Sequence, residues 1–425
     1  MKRISFQGEL KGEVDIPGSK YIANRVIPIA AMADGVSVIK NVPQNDDIDK
    51  AIEVFKSLGV QITRKKADTL IIPGKSGKFE GSDQILSTGE SGTLMRFATA
   101  ISTLVEGDIK ITGSERIKER PVGDLVSSLQ DIGADIDREN GGYPPVVVKS
   151  HQLQGGRAWI SGEESSQYIS AILLISPFAQ RNVEINVTEE PVSKTYIDLT
   201  IELMEKFGVE VSRLGYKKFF IDAGQVYQGQ KYVIPSDWSS ANYFFAAAAI
   251  TKGKISIDKL DLENPQGEAK FIEILEQMGC QTKIEGDQVT LSRNEDLKGI
   301  EIDMSSRPDS VPALSAVASF SEEQVIIKNI EHLKYKESNR IKAIVKEFGR
   351  AGAEVSSEDG NLYLKTGDMK SDIFDPHGDH RMAMSLALLG LKIPDINIKD
   401  PECVNKSFPG FWQTLASLGV DVQDV

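Results

Sequence analysis

SLGVQI, residues 57–62, decides how this chain is read, because the phrase returns five times. It comes back as DIGADI at 131–136, KFGVEV at 206–211, QMGCQT at 277–282, RAGAEV at 350–355 and SLGVDV at 417–422. The central glycines, Gly59, Gly133, Gly208, Gly279, Gly352 and Gly419, are 74, 75, 71, 73 and 67 residues apart. Six copies at so even a period mark an internal repeat. Each glycine follows an amphipathic stretch, such as Asp47–Leu58, Tyr196–Phe207 or Ala269–Met278. It therefore reads as the residue just past a helix, where positive φ is easy only for glycine. A strand pair is expected after most of them, as in Val60–Thr63 followed by Thr69–Pro73. Pro145–Lys149, Phe219–Asp222, Val289–Ser292 and Leu362–Lys365 read as further second strands.

A second kind of helix lies between these phrases, over residues 24–33, 92–105, 167–179, 240–251, 311–320 and 381–391. These stretches are apolar almost all round, the mark of buried helices. Alternating strands follow them, among them Val36–Val42, Ile109–Thr112, Val183–Val187 and Ile255–Ile257. The expected fold class is thus α/β, a helix–strand–helix–strand–strand unit repeated six times with helices inside and sheets outside. The 425 residues exceed the roughly 250–300 that one core sustains. Two bodies of three units fit better than one, dividing near residue 236 in IPSDWSS, with ligands expected in the cleft between them.

Composition narrows the function. Apolar residues make up 40% and charged residues 26%, ordinary for a globular protein. The longest apolar run, Tyr243–Ile250, is far short of the ~20 residues a membrane span needs. MKRISFQGEL at the start has no apolar segment of the secretory kind, so a cytoplasmic protein is expected. Two cysteines, Cys280 and Cys403, make neither a disulfide framework nor a zinc site. The net charge of −13 argues against nucleic acid or an anionic membrane as partner.

Polar residues gather where the buried helices begin: IPGSKYIANR (16–25), STGESGTLMR (87–96), GEESSQYIS (162–170), SDWSSANYF (236–244), SSRPDSVPA (305–313) and PHGDHRMAM (376–384). The Ser, Asp and Asn residues there read equally well as helix caps. The cations do not, because Lys20, Arg25, His380 and Arg381 stand where the helix dipole opposes positive charge. Pro121 reads as the first residue of a helix, which puts Arg120 at its start. Lys336 and Arg340, four apart in YKESNRI, are expected on one helix face. Lys406 is a lone loop lysine. An anion with several oxygens, held by amides and cations together, would explain this placement.

In this order, GSK…NR, SGT..R, IKERP, SSQY, SK.Y, KES.R, DHRMAM and NKSFPG resemble the enolpyruvyl transferase family over essentially the whole chain, and within it the branch that takes shikimate 3-phosphate. The resemblance implies a two-domain inside-out α/β barrel with three repeats per domain. Residues 1–17 plus 237–425 would form one domain, 18–236 the other, with the active site in the cleft. It implies transfer of the enolpyruvyl group of phosphoenolpyruvate to the 5-hydroxyl of shikimate 3-phosphate with release of phosphate, a step in making aromatic amino acids. The two small molecules would be the partners of a monomer that uses no metal and no cofactor.

Carried over motif by motif, the phosphoenolpyruvate contacts are Lys20, Gly92, Arg120, Gln167, Arg340, Arg381 and Lys406. The shikimate 3-phosphate contacts are Lys20, Tyr21, Arg25, Ser165, Ser166, Gln167, Ser193, Tyr196, Asp309, His332 and Lys336. Among these, the two serines at 165–166 and Ser193 match the phosphate contacts, and Arg25 the carboxylate contact. Asp309 matches the proton acceptor from the hydroxyl, Glu337 the group handling the methylene proton, and Lys20 joins them as catalytic. Addition across an enol needs an acid and a base flanking the substrate pair, and four anionic groups in one cleft need cations.

The chain departs from the family at four positions. Tyr21 and Ala23 replace serines, Glu90 replaces an asparagine and His332 another. Read as site changes, they leave open a paralogue acting on a related acceptor and a non-catalytic paralogue that binds phosphorylated ligands. A sister enzyme acting on a UDP-amino sugar would use a reactive cysteine.

Overall fold

The computed structural model describes residues 1–81, 84–149 and 153–425. All six repeat glycines have φ between +81° and +100°. At Gly59 the amide donates to the Lys56 carbonyl and the Val60 amide reaches back to the Phe55 carbonyl, both at 3.0 Å. This is the paired closure that ends a helix on a left-handed residue. The same pair recurs at Gly133, Gly208, Gly352 and Gly419. It also moves the expected Val60–Thr63 strand: Val60 and Ile62 stay buried beneath the helix end, and the strand runs Thr63–Lys66.

The buried helices are Lys20–Met32, Gly92–Ile101, Ser166–Ile175, Trp238–Thr251, Val311–Ala318 and His380–Ala387. Trp238–Thr251 is buried at every position, as a stretch with four consecutive alanines and four aromatics on all sides requires. The described strands form six four-stranded sheets. Each contains a strand the helix–strand–helix–strand–strand reading lacks, lying parallel on the outer edge. These strands are Lys11–Val14, Gln84–Ser87, Gly156–Ile160, Lys231–Val233, Glu301–Asp303 and Ile373–Phe374. The unit is therefore strand–helix–strand–helix–strand–strand. The added strand is only two to five residues long, too short for periodicity to show it.

The chain divides into two compact units, Gly18–Ile234 and Met1–Pro17 with Pro235–Val425. The boundary at 234/235 stands two residues before the expected 236/237. Each unit carries its own core, one around Tyr168, Phe207 and Tyr227, the other around Trp238, Phe244 and Phe411. Two N-terminal strands belong to the second of these. Lys11–Val14 pairs with Lys254–Ile257, and Lys2–Ser5 lies between Ile396–Ile398 and Asp421–Asp424, antiparallel to both. Among the described residues, no helix is long and apolar enough to cross a membrane.

Candidate active site

In the unit Gly18–Ile234 the three buried helices begin at Lys20, Gly92 and Ser166, with Ser19, Ser91 and Ser165 at the cap positions. Ser91 and Ser165 accept from the backbone of their own helices, as a capping serine does. Lys20 is buried, its ammonium 3.4 Å from Asp47 and 5.6 Å from the centre of the Tyr21 ring. Tyr21 packs on Tyr196 with ring centres 5.0 Å apart. Arg25, one turn further on, donates Nε–H to Thr200 Oγ1 at 2.7 Å and its Nη groups to the carbonyls of Tyr21 and Tyr196. Its guanidinium also lies 5.6 Å from the Phe97 ring centre. Among the described residues no carboxylate is bonded to it, and burial pushes its pKa down to about 10. A buried cation answered only by neutral groups is the strongest sign of an anion site in this unit.

Arg120 lies against Gly92: a Cβ on that glycine would stand 2.3 Å from Arg120 Nη1. The helix after it starts at Gly123, so Pro121 is not its first residue; Val122 intervenes as cap and donates to the Gly142 carbonyl. Gln167 donates to Thr93 Oγ1 at 3.0 Å and so stands beside Gly92. Ser166 and Ser193 are buried, Ser193 at φ +53° just before the Thr195–Lys206 helix that carries Tyr196. Glu90 is exposed. Ala23 is fully buried in the core, so its departure from the family bears on packing, not on the site.

The other unit gathers Asp309, Glu337, Arg340, Arg381 and Lys406 into one network. Arg340, without exposed surface, donates to Asp309 Oδ1 at 2.5 Å, Glu337 Oε2 at 2.7 Å and Asp379 Oδ2 at 2.8 Å. Arg381 Nε stands 3.4 Å from Asp309 Oδ1, and Arg381 Nη1 donates to the Tyr243 hydroxyl at 3.3 Å. Lys406 Nζ is 3.6 Å from Glu337 Oε1. Burial alone would raise the Asp309 pKa; Arg381, Arg340 and Lys336 outweigh it and hold the group well below the usual carboxylate range. His332 is buried, and burial first, then Lys336, pushes its pKa down to about 3. Its Nε2 has no hydrogen-bond partner among the described residues.

Lys336 and Arg340 do not share a helix. The helix begins at Arg340, capped by Asn339, and Lys336 is extended at the end of the Glu331–Tyr335 turn. Sequence reading missed Asp379, which is fully buried, holds Arg340 through both carboxylate oxygens and caps the Arg381 amide. The signal was present in PHGDHR, but a capping aspartate looks alike with or without an arginine on it. Four cations, Lys336, Arg340, Arg381 and Lys406, thus face three carboxylates. Cys280 is buried, which pushes its thiol up to about 12, out of the range of a ready nucleophile. Among the described residues, no group of three or more His, Cys, Asp or Glu is placed to hold a metal ion.

Comparison with known proteins points one way. A family model described as EPSP synthase (3-phosphoshikimate 1-carboxyvinyltransferase) matches residues 4–415. A 3-phosphoshikimate 1-carboxyvinyltransferase from Methanoculleus marisnigri is 38% identical over 420 residues, 98% of this chain and 99% of that one. One from Nostoc punctiforme is 39% identical over 401 residues, 94% of each. The solved structure of EPSP synthase from Acinetobacter baumannii is similar at a TM-score of 0.83 and 26% identity, covering 100% of this chain and 99% of that one.

Proposed function

Because this chain belongs to the EPSP synthase family, we propose that it transfers the enolpyruvyl group of phosphoenolpyruvate to the 5-hydroxyl of shikimate 3-phosphate and releases phosphate. The observation that carries the reading is the Asp309–Arg340–Glu337 network, two carboxylates held on one fully buried guanidinium. A binding module would need the cations but no such acid–base pair.

The chemistry follows from that arrangement. Glu337, protonated when it acts, delivers a proton to the methylene carbon of phosphoenolpyruvate, and the neighbouring carbon takes the acceptor's hydroxyl oxygen as Asp309 takes the hydroxyl's proton. Asp309, beside two guanidinium groups, is a weak base. That suffices, because a hydroxyl bonding to an electron-poor carbon becomes strongly acidic. In the second half the methyl group returns a proton to Glu337 as phosphate leaves and the double bond re-forms. Arg340, Arg381 and Lys406 would answer the charge that develops, and Lys20, Arg120, Gln167 and the Gly92 amide are the anion contacts that the other unit offers. Shikimate 3-phosphate would lie against Ser165, Ser166 and Ser193 through its phosphate. Arg25 and Tyr21 would take its carboxylate, Tyr196 its ring, and Lys336 and His332 its hydroxyl side. The serine-capped helix starts of one unit would thus supply anion sites while the other supplies acid and base, and the reading requires both sets to act on one substrate pair.

Phosphate release with both substrates, and the mass of the enolpyruvyl product, tests the proposal. Turnover in wild type, reduced at least a hundredfold in Asp309→Ala with the KM for phosphoenolpyruvate changed less than threefold, is the expected outcome. Absence of turnover by wild type would overturn the acceptor assignment. Equal turnover by wild type and Asp309→Ala would overturn the role of Asp309.

A further inference from the structure

Three of the sequence motifs contain residues that the proposed chemistry leaves unused: Arg96 in SGT..R, Tyr168 in SSQY and Pro121 in IKERP. They meet at one atom. Arg96 Nη2 donates to the Pro121 carbonyl at 3.0 Å, and the Tyr168 hydroxyl stands 2.7 Å from the same oxygen and 3.1 Å from Glu164 Oε2. The other Nη of Arg96 donates to the Gly92 carbonyl at 2.9 Å. Arg96 and Tyr168 are buried, with the guanidinium 5.8 Å from the centre of the Tyr168 ring.

We infer that Arg96 and Tyr168 form a clamp that positions Arg120 over the first turn of the Gly92–Ile101 helix, and that they are positioning residues for the phosphoenolpyruvate end of the site. The reading rests on the proposed function for the identity of that substrate. Proline fixes its own φ, so anchoring the Pro121 carbonyl sets the backbone on the C-terminal side of Arg120. The Arg120 amide donates to the Ile117 carbonyl at 3.0 Å and sets the other side. Donors from two different buried helices hold one carbonyl, while Arg96 ties that carbonyl to Gly92, the residue against which the Arg120 guanidinium lies. A cation at a helix start is opposed by the dipole, and a held backbone limits the directions from which the Arg120 side chain reaches that start. The clamp holds it with both Nη groups of one arginine, a fork that lysine lacks.

The test is steady-state kinetics on Arg96→Met, Arg96→Lys, Tyr168→Phe and the double variant Arg96→Met with Arg120→Ala. Arg96→Met is expected to raise the KM for phosphoenolpyruvate at least tenfold, with the KM for shikimate 3-phosphate within twofold and kcat within threefold. Lysine should recover part of the loss, since it reaches one of the two carbonyls. Once Arg120 is alanine, adding Arg96→Met should change that KM less than twofold. Equal rises in both KM values, or full additivity with Arg120→Ala, would overturn the clamp. Should Arg96→Met fail to fold, Tyr168→Phe removes one hydroxyl only: a threefold or greater rise confined to phosphoenolpyruvate supports the inference, and no change overturns it. Calorimetry with inorganic phosphate on wild type and Tyr168→Phe separates the two readings. Weaker phosphate binding in the variant upholds the clamp even where wild type shows no turnover; equal binding overturns it.

Discussion

At His332 burial and the Lys336 charge act in the same direction and outweigh Asp309 and Asp303, and the result is measurable. The folded imidazole has its pKa pushed down to about 3, whereas in an unfolded chain it titrates near ~6.5. Between those values the unfolded state holds a proton that the folded state lacks, so stability falls as pH drops from about 6.5. At pH 5 this one group accounts for a loss of about 2 kcal/mol. The window of Asp309 is separate: its contribution is present above about 3.9 and is lost only as pH falls through its lower folded value. His332→Asn should therefore flatten the change in unfolding free energy between pH 7 and pH 5 in urea titrations; an unchanged slope would mean the ring is solvated. Residues of this kind show the limit of sequence reading. Asp309, Glu337, Arg340, Arg381 and Lys406 could be named as candidates because their motifs are distinctive, and the structure brings them into one network. The partner Asp379 and the neutral state of His332 depend on what surrounds them in space, which no local pattern records.

At the scale of the element, the six repeat glycines share a conformation but not a neighbourhood. A Cβ on Gly352 would stand 2.0 Å from the Asp368 carbonyl oxygen, while one on Gly419 would meet nothing within 4 Å. Alanine at either position carries the left-handed strain of about 1–2 kcal/mol. Gly352→Ala should lose about 1–3 kcal/mol more, because backbone must move to admit the methyl group. Denaturant unfolding of the two variants checks this, and equal losses would show that the Asp368 segment yields freely. The helices and hairpins were legible since their glycines and periodicities lie within a dozen residues. The parallel edge strands were not, because Lys231–Val233 gains its strand character only by pairing with Val36–Lys40, nearly two hundred residues earlier.

At the scale of the molecule, the unit Gly18–Ile234 is an insertion within the other. Ile4, on the strand that completes the last sheet, is fully buried. Deleting residues 1–6 should therefore strip hydrogen-exchange protection from Ile396–Ile398 and Asp421–Asp424, while Gly18–Ile234 keeps its own. Loss of protection across both units would show that they unfold as one. The sixfold repeat was legible, but the displaced strand was not: its partners lie at the far end of the chain, and a hexad of similar units does not say which copy it will complete.

That displaced strand also sets an order of events on the ribosome. Lys2–Ser5 is made 416 residues ahead of Asp421–Asp424, its neighbour in the sheet. At roughly 5–20 residues per second, the early strand waits on the order of tens of seconds without its partner. The inserted unit emerges complete in the meantime. Nascent chains arrested near residue 300 should thus carry one protease-resistant body while residues 2–5 are still cleaved, so that the maturing protein depends longest on protection of a strand made well before its partner.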